Sequence, residues 1–499
     1  MAGGPQANSH SHRHALPNLE WLTEQREVSL DRWFERLAGD IRKGQSDADA
    51  RRALDGLIER FNDGHVALRW PSAAPAESAP ARPARAALPG TPAAFCAAQR
   101  YDAGQVSVGT AAALPGYRAI EGGGPFGAGV VRNGDRTIGV VRIGVFSPQG
   151  YPMLCEQAVA NMEIKIGQPC DAVCEDRILT EAYRLLTLGL MVSLERLRAA
   201  GADVLLVDLT RNGGGSEWAE AAARMVSSRS LKSAPLMVMR DEAWVKRWRD
   251  LSTKLRAQVR SAPSQDRSLL LDLAKRADAT ADGLRPCSEY TCPRLAQSGY
   301  ASGLIDALPA GRLDGKPWAA EVFSAAQFPY HDGVWQGPVI VLVDSETWSA
   351  AEQFTALLRD NDAAIVMGTR TGGAGCGHLY GKVPVTLLHS RAMLELPNCA
   401  RLRKDGSNEV SGIVADVATG VRWNDGAKFA GQLTAARLPE AVAQAEALRF
   451  NKKLSILAPL PLRERATRAQ RAPHQASLGG APPSFAILSR EGRAACACS

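Results

Sequence analysis

The sequence predicts an α/β protein built on parallel strands. Three runs at 202–209, 338–343 and 363–368 are apolar almost throughout rather than alternating, which is typical of strands covered on both faces. After the second run, apolar residues recur at helical spacing from Ser349 onward. A helix that joins two such strands predicts parallel pairing. The 499 residues, 45% of them hydrophobic, are enough for two or three domains and a large core.

The first part of the chain divides into three predicted segments. Residues 1–17 are polar, with His10, His12 and His14 at alternate positions, and we expect a disordered N-terminus there rather than a metal site. Residues 18–65 predict an N-terminal helical subdomain of two or three amphipathic helices. Residues 66–135 are rich in Ala and Pro and predict a linker and irregular region.

Four further segments complete the predicted organisation. Residues 136–240 form the first part of the core, with a strand at 138–146 and a long helix at 180–200 that leads into the strand at 202–209. Residues 241–335 predict a helical insertion, placed by its order in the chain to form a lid or cleft wall. Residues 336–450 predict the second part of the core, and 451–499 a basic, disordered tail.

Most of the formal charge of +7 lies in this tail. Residues 451–499 contain eight Lys or Arg and two Glu, which gives +6 and leaves +1 for the rest. A nearly neutral body gives no indication of a basic groove for nucleic acid, and the tail is best interpreted as a solvated extension. No apolar run is long enough to cross a bilayer, and no signal peptide is recognisable.

The ten cysteines favour disulfides. Their even number and close spacings suggest an oxidising compartment, so we expect a periplasmic or secreted protein, or otherwise a cytoplasmic one. Cys155, Cys170 and Cys174 could instead supply three thiolates to a metal, but a fourth ligand is not evident.

Ser349 is a candidate nucleophile. It lies at a strand-to-helix turn, where the free N–H groups of the helix N-terminus favour negative charge. That position suits a reaction whose transition state carries an oxyanion. The alternative interpretation is that Ser349 is only the N-cap of the helix.

A second motif lies upstream. The strand at 202–209 runs into Thr-Arg-Asn-Gly-Gly-Gly at 210–215, and a predicted helix follows. Consecutive glycines allow a ligand to approach the backbone and direct N–H groups inward, although such a run can also be a simple turn.

These motifs, in this order, resemble the C-terminal processing (tail-specific) protease family of serine peptidases. The matching stretches are 208–215, 349–352 (Ser-Ala-Ala-Glu) and 368–373 (Gly-Thr-Arg-Thr-Gly-Gly). The resemblance implies a crotonase/ClpP-like spiral of βαβ units and a protein or peptide substrate, without a cofactor. Too little patterned sequence precedes residue 138 for the PDZ domain that many members insert.

The family resemblance also implies the catalytic base. The Ser/Lys branch has a lysine where this chain has Ala374, so we expect the Ser-His-Glu branch, to which the chlamydial protease-like activity factor belongs. The Asp-x-His motif of that branch matches His65. Its glutamate matches Glu409, ahead of a Gly-Ile-Val-Ala-Asp stretch with Ala415 where proline is usual.

The resemblance thus predicts a triad of Ser349, His65 and Glu409, without a metal. Gly213 or Gly214, together with Ala350, would supply the oxyanion hole. His378 is the rival base, and Glu352 is expected to support the nucleophile helix.

Two other functions stay open at this point. One is an apolar-ligand or peptide carrier, because the same fold occurs in the retinoid-binding repeats of the interphotoreceptor matrix protein. The other is a hydrolase of esters or small peptides. The oligomeric state is not predicted by any feature of the sequence.

Overall fold

The structure is a computed structural model that describes residues 17–71, 90–122, 124–168, 170–288, 291–379 and 384–457. The predicted termini at 1–17 and 451–499 therefore lie largely outside the described residues. The α-helices are α1 (Leu30–Lys43), α2 (Asp47–Phe61), α3 (Pro92–Ala98), α4 (Pro152–Asn161), α5 (Ala172–Ala199), α6 (Trp218–Met225), α7 (Glu242–Gln258), α8 (Ser264–Gly283), α9 (Ala319–Val322), α10 (Ala350–Asp360) and α11 (Ala427–Leu457).

A mixed sheet organises the fold, which confirms the predicted α/β class. The strands are β1 (Ala67–Arg69), β2 (Arg118–Ala119), β3 (Ala128–Asn133), β4 (Arg136–Arg142), β5 (Val204–Asp208), β6 (Pro235–Met239), β7 (Leu295–Tyr300), β8 (Val339–Val343), β9 (Ile365–Gly368), β10 (Val385–Thr386), β11 (Met393–Glu395), β12 (Cys399–Arg401) and β13 (Val417–Ala418). The central sheet has the order β13-β9-β8-β5-β4-β3-β2. Pairing is parallel from β13 to β4 and antiparallel from β4 to β2.

Burial on both faces explains why the central strands have no polar alternation. On β5, Leu205 and Val207 pack into one apolar cluster, while Val204 and Leu206 pack into another on the opposite face. Helices α5, α6 and α10 contribute to the first cluster and α11 to the second. Because successive side chains of a strand point to opposite faces, a strand between two layers must be apolar at every position.

The segments around the predicted core differ from the sequence expectation in detail. Residues 66–135 contain the helix α3 and the strand β3, so this region holds more regular structure than its composition suggests. In the segment 241–335, α7 and α8 pack on each other and bury Trp248, Leu255 and Leu270 in the main apolar cluster. Strand β7 of the same segment pairs with β6. The domain boundaries themselves stay predictions.

Eight cysteines form four pairs at disulfide distance, and the other two lie outside the described residues. The pairs are Cys96–Cys155, Cys170–Cys174, Cys287–Cys292 and Cys376–Cys399. In the described part of the chain, no helix combines the length and apolarity that crossing a bilayer requires.

Candidate active site

Two adjacent parallel strands bring the two sequence motifs together. Strands β5 and β8 are hydrogen-bonded neighbours, so their carboxyl ends lie at the same edge of the sheet. The first leads into residues 210–215, here the glycine loop, and the second into residues 344–349, here the nucleophile turn. The Trp348 N–H donates to the Asn212 carbonyl over 2.9 Å. This bond fixes the glycine loop against the nucleophile turn.

Ser349 sits at the junction of the nucleophile turn and α10 with a strained backbone. Its φ is 55° and its ψ is −114°, a region that residues with a side chain rarely occupy. Such strain persists only where the surroundings over-determine the conformation, and it is frequent at functional sites. A sharp, strained strand-to-helix turn also exposes a serine hydroxyl at the end of a sheet. An ordinary N-cap has extended φ and ψ, so the geometry favours the nucleophile interpretation.

The structure places His65 beside Ser349, as the prediction requires. His65 Nε2 lies 3.2 Å from Ser349 Oγ, and His65 Nδ1 lies 2.8 Å from the Ala374 carbonyl oxygen. A carbonyl can only accept a hydrogen bond, so Nδ1 must carry the proton. In that tautomer Nε2 faces the Ser349 hydroxyl as the acceptor of its proton.

The backbone of His65 is also fixed. The Asp63 carboxylate accepts the His65 N–H over 2.9 Å, and its other oxygen accepts Asn18 Nδ2 over 2.9 Å. Burial raises the pKa of Asp63 to about 6, although both hydrogen bonds act in the opposite direction. The two named residues of the Asp-x-His motif therefore have different roles. Asp63 fixes the main chain of His65, and the His65 side chain faces Ser349.

Glu352 anchors the loop that holds His65. This loop, residues 373–377, is here the base loop. The Glu352 carboxylate accepts N–H bonds from Gly373 over 2.8 Å, Ala374 over 2.9 Å and Gly375 over 3.2 Å, and it also accepts the Ser349 N–H over 3.1 Å. Burial raises the pKa of Glu352 to about 7, and the nearby charge of Glu409 acts in the same direction. Glu352 therefore connects the nucleophile to the base loop, beyond the helix support predicted for it.

Glu409 pairs with Arg401 in the structure, whereas the family resemblance implies that it orients the imidazole. Both of its oxygens accept from Arg401 Nε, over 3.0 and 3.1 Å, and the side chain of Glu409 is 1% exposed. The position facing His65 Nδ1 is occupied by the Ala374 carbonyl. Glu409 pairs with Arg401 because the Arg401 guanidinium is buried, and a desolvated cation requires a carboxylate partner.

The oxyanion donors also differ in part from the expectation. The Gly214 N–H donates to Asn212 Oδ1 over 2.8 Å and is therefore already engaged. In the described part of the chain, the N–H groups of Gly213 and Ala350 donate no hydrogen bond. Gly214 has a different role: a Cβ there would lie 2.8 Å from Ser349 Cβ, so only glycine allows this approach.

His378 lies near the site without contacting the nucleophile in the described structure. Its ring packs edge-on against that of His65, with the centroids 5.8 Å apart. In the described residues, no group of three or more His, Cys, Asp and Glu side chains could hold a metal ion. A surface cavity of about 730 Å³ lies elsewhere, lined by Arg359, Arg370 and their neighbours but not by Ser349 or His65.

Gly377 limits where the His65 ring can lie. A Cβ on Gly377 would sit 2.4 Å from His65 Cδ2 and 2.5 Å from Nε2. We therefore expect Gly377→Ala to displace the ring from Ser349 and to lower kcat/KM about 100-fold, a size typical of a 1 Å misplacement. The matched control is Gly56→Ala, where no atom outside the glycine's own neighbourhood lies within 4 Å. Equal activity of the Gly377 variant and wild type would contradict the ring position.

Sequence reasoning missed two participants, Arg401 and the Ala374 carbonyl. Arg401 is an isolated polar residue without a spacing that marks it, whereas Asn212 lies within the matching stretch at 208–215. The Ala374 carbonyl is a main-chain group, which leaves no signal in the residue type. Strand β12, which is buried throughout and otherwise consists of small residues, gives one indication of the role of Arg401. A charged side chain in a fully buried strand needs hydrogen-bond partners.

Comparison with known proteins supports the fold and the family. The model of peptidase family S41 matches residues 189–419. The crystal structure of mature CPAF covers 88% of this chain and 97% of its own, at 16% identity and a TM-score of 0.55. A structure of mature CPAF complexed with lactacystin covers 89% and 97%, at 15% identity and a TM-score of 0.50. At these identities the similarity concerns the fold alone.

A curated relative matches a short segment more closely. An uncharacterized protein of Chlamydia muridarum (strain MoPn / Nigg) is 53% identical over 38 residues, which is 8% of this chain and 6% of the relative's length. The longer family match includes the glycine loop, the nucleophile turn, the base loop and Glu409. Over residues 189–419 the chain therefore resembles peptidase family S41.

Proposed function

We propose that the chain is a serine endopeptidase that cleaves protein or peptide substrates through an acyl-enzyme on Ser349. The observation that carries the proposal is the pair of contacts of His65, with Nε2 at 3.2 Å from Ser349 Oγ and Nδ1 at 2.8 Å from the Ala374 carbonyl oxygen. A binding protein on the same fold has no need of a correctly oriented imidazole beside a strained serine.

The proposed reaction has two steps. In the first, Ser349 Oγ attacks the peptide carbonyl carbon while His65 Nε2 accepts its proton, and the imidazolium then protonates the leaving amine as the C–N bond breaks. In the second, water loses a proton to His65 and attacks the ester, which releases the acid and restores Ser349. Glu409 is the acidic member of the Ser-His-Glu triad that the resemblance implies, and it contacts Arg401.

The oxyanion would be stabilised by the N–H groups of Gly213 and Ala350. Each donor of this kind contributes roughly 3 kcal/mol to lowering the barrier. Ala350 is the first residue of α10, so the helix dipole adds to the stabilisation of negative charge there.

Three finer points belong to the same proposal. The order of βαβ units is compatible with the crotonase/ClpP-like spiral that the resemblance implies. Tail specificity is not part of the proposal, because no substrate-docking domain is identified among the residues that the structure describes. The four cysteine pairs favour a periplasmic or secreted location. Free-thiol titration of the purified protein tests this expectation. Fewer than two disulfides would count against a periplasmic or secreted location.

The test of function is turnover together with a trapped intermediate. We expect purified protein to cleave unfolded casein at internal bonds, and acid quenching during turnover of an activated peptide ester to leave an acyl group on the peptide that contains Ser349. A structure of mature CPAF contains lactacystin, so pre-incubation with that compound is a useful inhibition test. Hydrolysis of esters without casein cleavage would indicate a small-substrate hydrolase, and saturable binding without any hydrolysis would indicate a carrier.

A further inference from the structure

Arg401 is a buried cation that contacts both halves of the candidate active site. It lies on β12, and its side chain is 8% exposed. Its Nη2 donates to the carbonyl oxygens of Gly375 over 2.8 Å and Ser349 over 3.1 Å. The same Nη2, together with Nε, also donates to the carboxylate of Glu409. The Nη1 donates to Gln353 over 3.3 Å.

The two carbonyls that Arg401 binds belong to the segments that hold the reacting side chains. Ser349 is the residue with the strained backbone, at φ 55°. Gly375 follows Ala374, whose carbonyl oxygen binds His65 Nδ1. Glu352 binds the N–H groups of the same two residues. Ser349 and Gly375 are therefore fixed at their N–H groups by a carboxylate and at their carbonyls by a guanidinium.

From these contacts we propose that Arg401 is a positioning residue for the Ser349–His65 pair, and that Glu409 acts on catalysis only through Arg401. The inference rests on the proposed peptidase function. Arginine suits this place because its planar fork donates in several fixed directions at once, which a lysine ammonium on a flexible stem cannot reproduce. Burial alone would lower the pKa of Arg401, but its hydrogen bonds to Glu409 and the charges of Glu409, Glu352 and Glu220 together raise that pKa above its usual value.

The buried polar chain continues away from the site. Gln353 Nε2 donates to Glu220 Oε1 over 2.9 Å, and Arg224 and Ser233 donate to the other oxygen of Glu220. Glu220 and Arg224 lie on α6, beneath α10. Arg401 is thus held by groups that are themselves fixed, so its orientation is determined before substrate binds.

The test compares three variants at temperatures well below their unfolding midpoints, with rates expressed per folded molecule. They are Arg401→Lys, Glu409→Gln and the double variant Arg401→Met/Glu409→Met, which removes both buried charges and so avoids an unpaired one. We expect Arg401→Lys to lower kcat about 100-fold with KM nearly unchanged. The double variant should lose at least as much, and Glu409→Gln less than Arg401→Lys.

Two results would overturn the inference. If Glu409→Gln lowers kcat about 10⁴-fold while Arg401→Lys stays near wild type, Glu409 acts directly on the imidazole as in a conventional triad. If every folded variant keeps the wild-type kcat, Arg401 contributes to stability alone. Failure of the proposed function has a different signature, because wild-type protein would then show no more turnover than Ser349→Ala, and the inference about Arg401 would fall with it.

Discussion

Replacing Ser349 with alanine is expected to abolish peptide hydrolysis while leaving the fold intact. The Ser349 hydroxyl is the atom that would become acylated, and its oxygen lies 3.2 Å from His65 Nε2. Removing a nucleophile of this kind lowers kcat by about 10⁶-fold. Alanine retains the main-chain contacts of residue 349 with Glu352 and Arg401 and loses the capping bond that the Ser349 side chain accepts from the Glu352 N–H. The measurement is casein cleavage by variant and wild type, with thermal unfolding as the control for folding.

A matched glycine variant tests whether the Ser349 backbone is strained. Both Ser349→Ala and Ser349→Gly remove the hydroxyl, but only glycine adopts a φ of 55° without a steric penalty from Cβ. We expect the glycine variant to have a free energy of unfolding about 1 kcal/mol higher than the alanine variant. An alanine variant of equal or greater stability would mean that the nucleophile turn relaxes in solution.

Replacing His65 with alanine is expected to lower kcat by about the same factor as replacing Ser349. Groups that act as one unit are not additive, so the loss of either one removes the whole nucleophilic pathway. The double variant Ser349→Ala/His65→Ala should therefore be no less active than either single variant. The structural reason is that His65 Nε2 is the acceptor positioned at Ser349 Oγ, while Nδ1 is occupied by the Ala374 carbonyl.

The control for this prediction is His378→Ala. The His378 ring packs edge-on against His65 at 5.8 Å between centroids, so its removal deletes a neighbour of the base and leaves the Ser349–His65 contact in place. We expect a loss of activity below about 10-fold. A loss in the His378 variant as large as that of Ser349→Ala, with an active His65 variant, would transfer the role of base to His378.

The sequence predicts those parts of the fold that are set by burial. Strands β5, β8 and β9 follow from apolar runs, because a strand with a helical layer on each face has no polar positions to place. Strand β3 and helix α3 are not predicted, since the surrounding residues are rich in Ala, Pro and Gly and their order comes from tertiary packing. In this region local propensity is a weak guide.

For the site, the residue types were predictable and the contacts were not. Ser349 and His65 are separated by 284 positions, and only the family motifs indicate that they meet. Glu409 matches a family motif, yet its hydrogen-bond partner is Arg401. Arg401 is a single residue whose burial cannot be deduced from the spacing of the sequence. Likewise, the acceptor for His65 Nδ1 is a main-chain carbonyl, whose direction depends on the five donors that Glu352 collects.

Activation of Ser349 by His65 is tested most directly by the second-order rate of labelling with a fluorescent fluorophosphonate. The rate is measured for wild type, Ser349→Ala, His65→Ala and His378→Ala under conditions where all four are folded. The account predicts rapid labelling of wild type and of the His378 variant, and background labelling of the other two. Wild-type labelling no faster than that of Ser349→Ala, in folded protein, would contradict it.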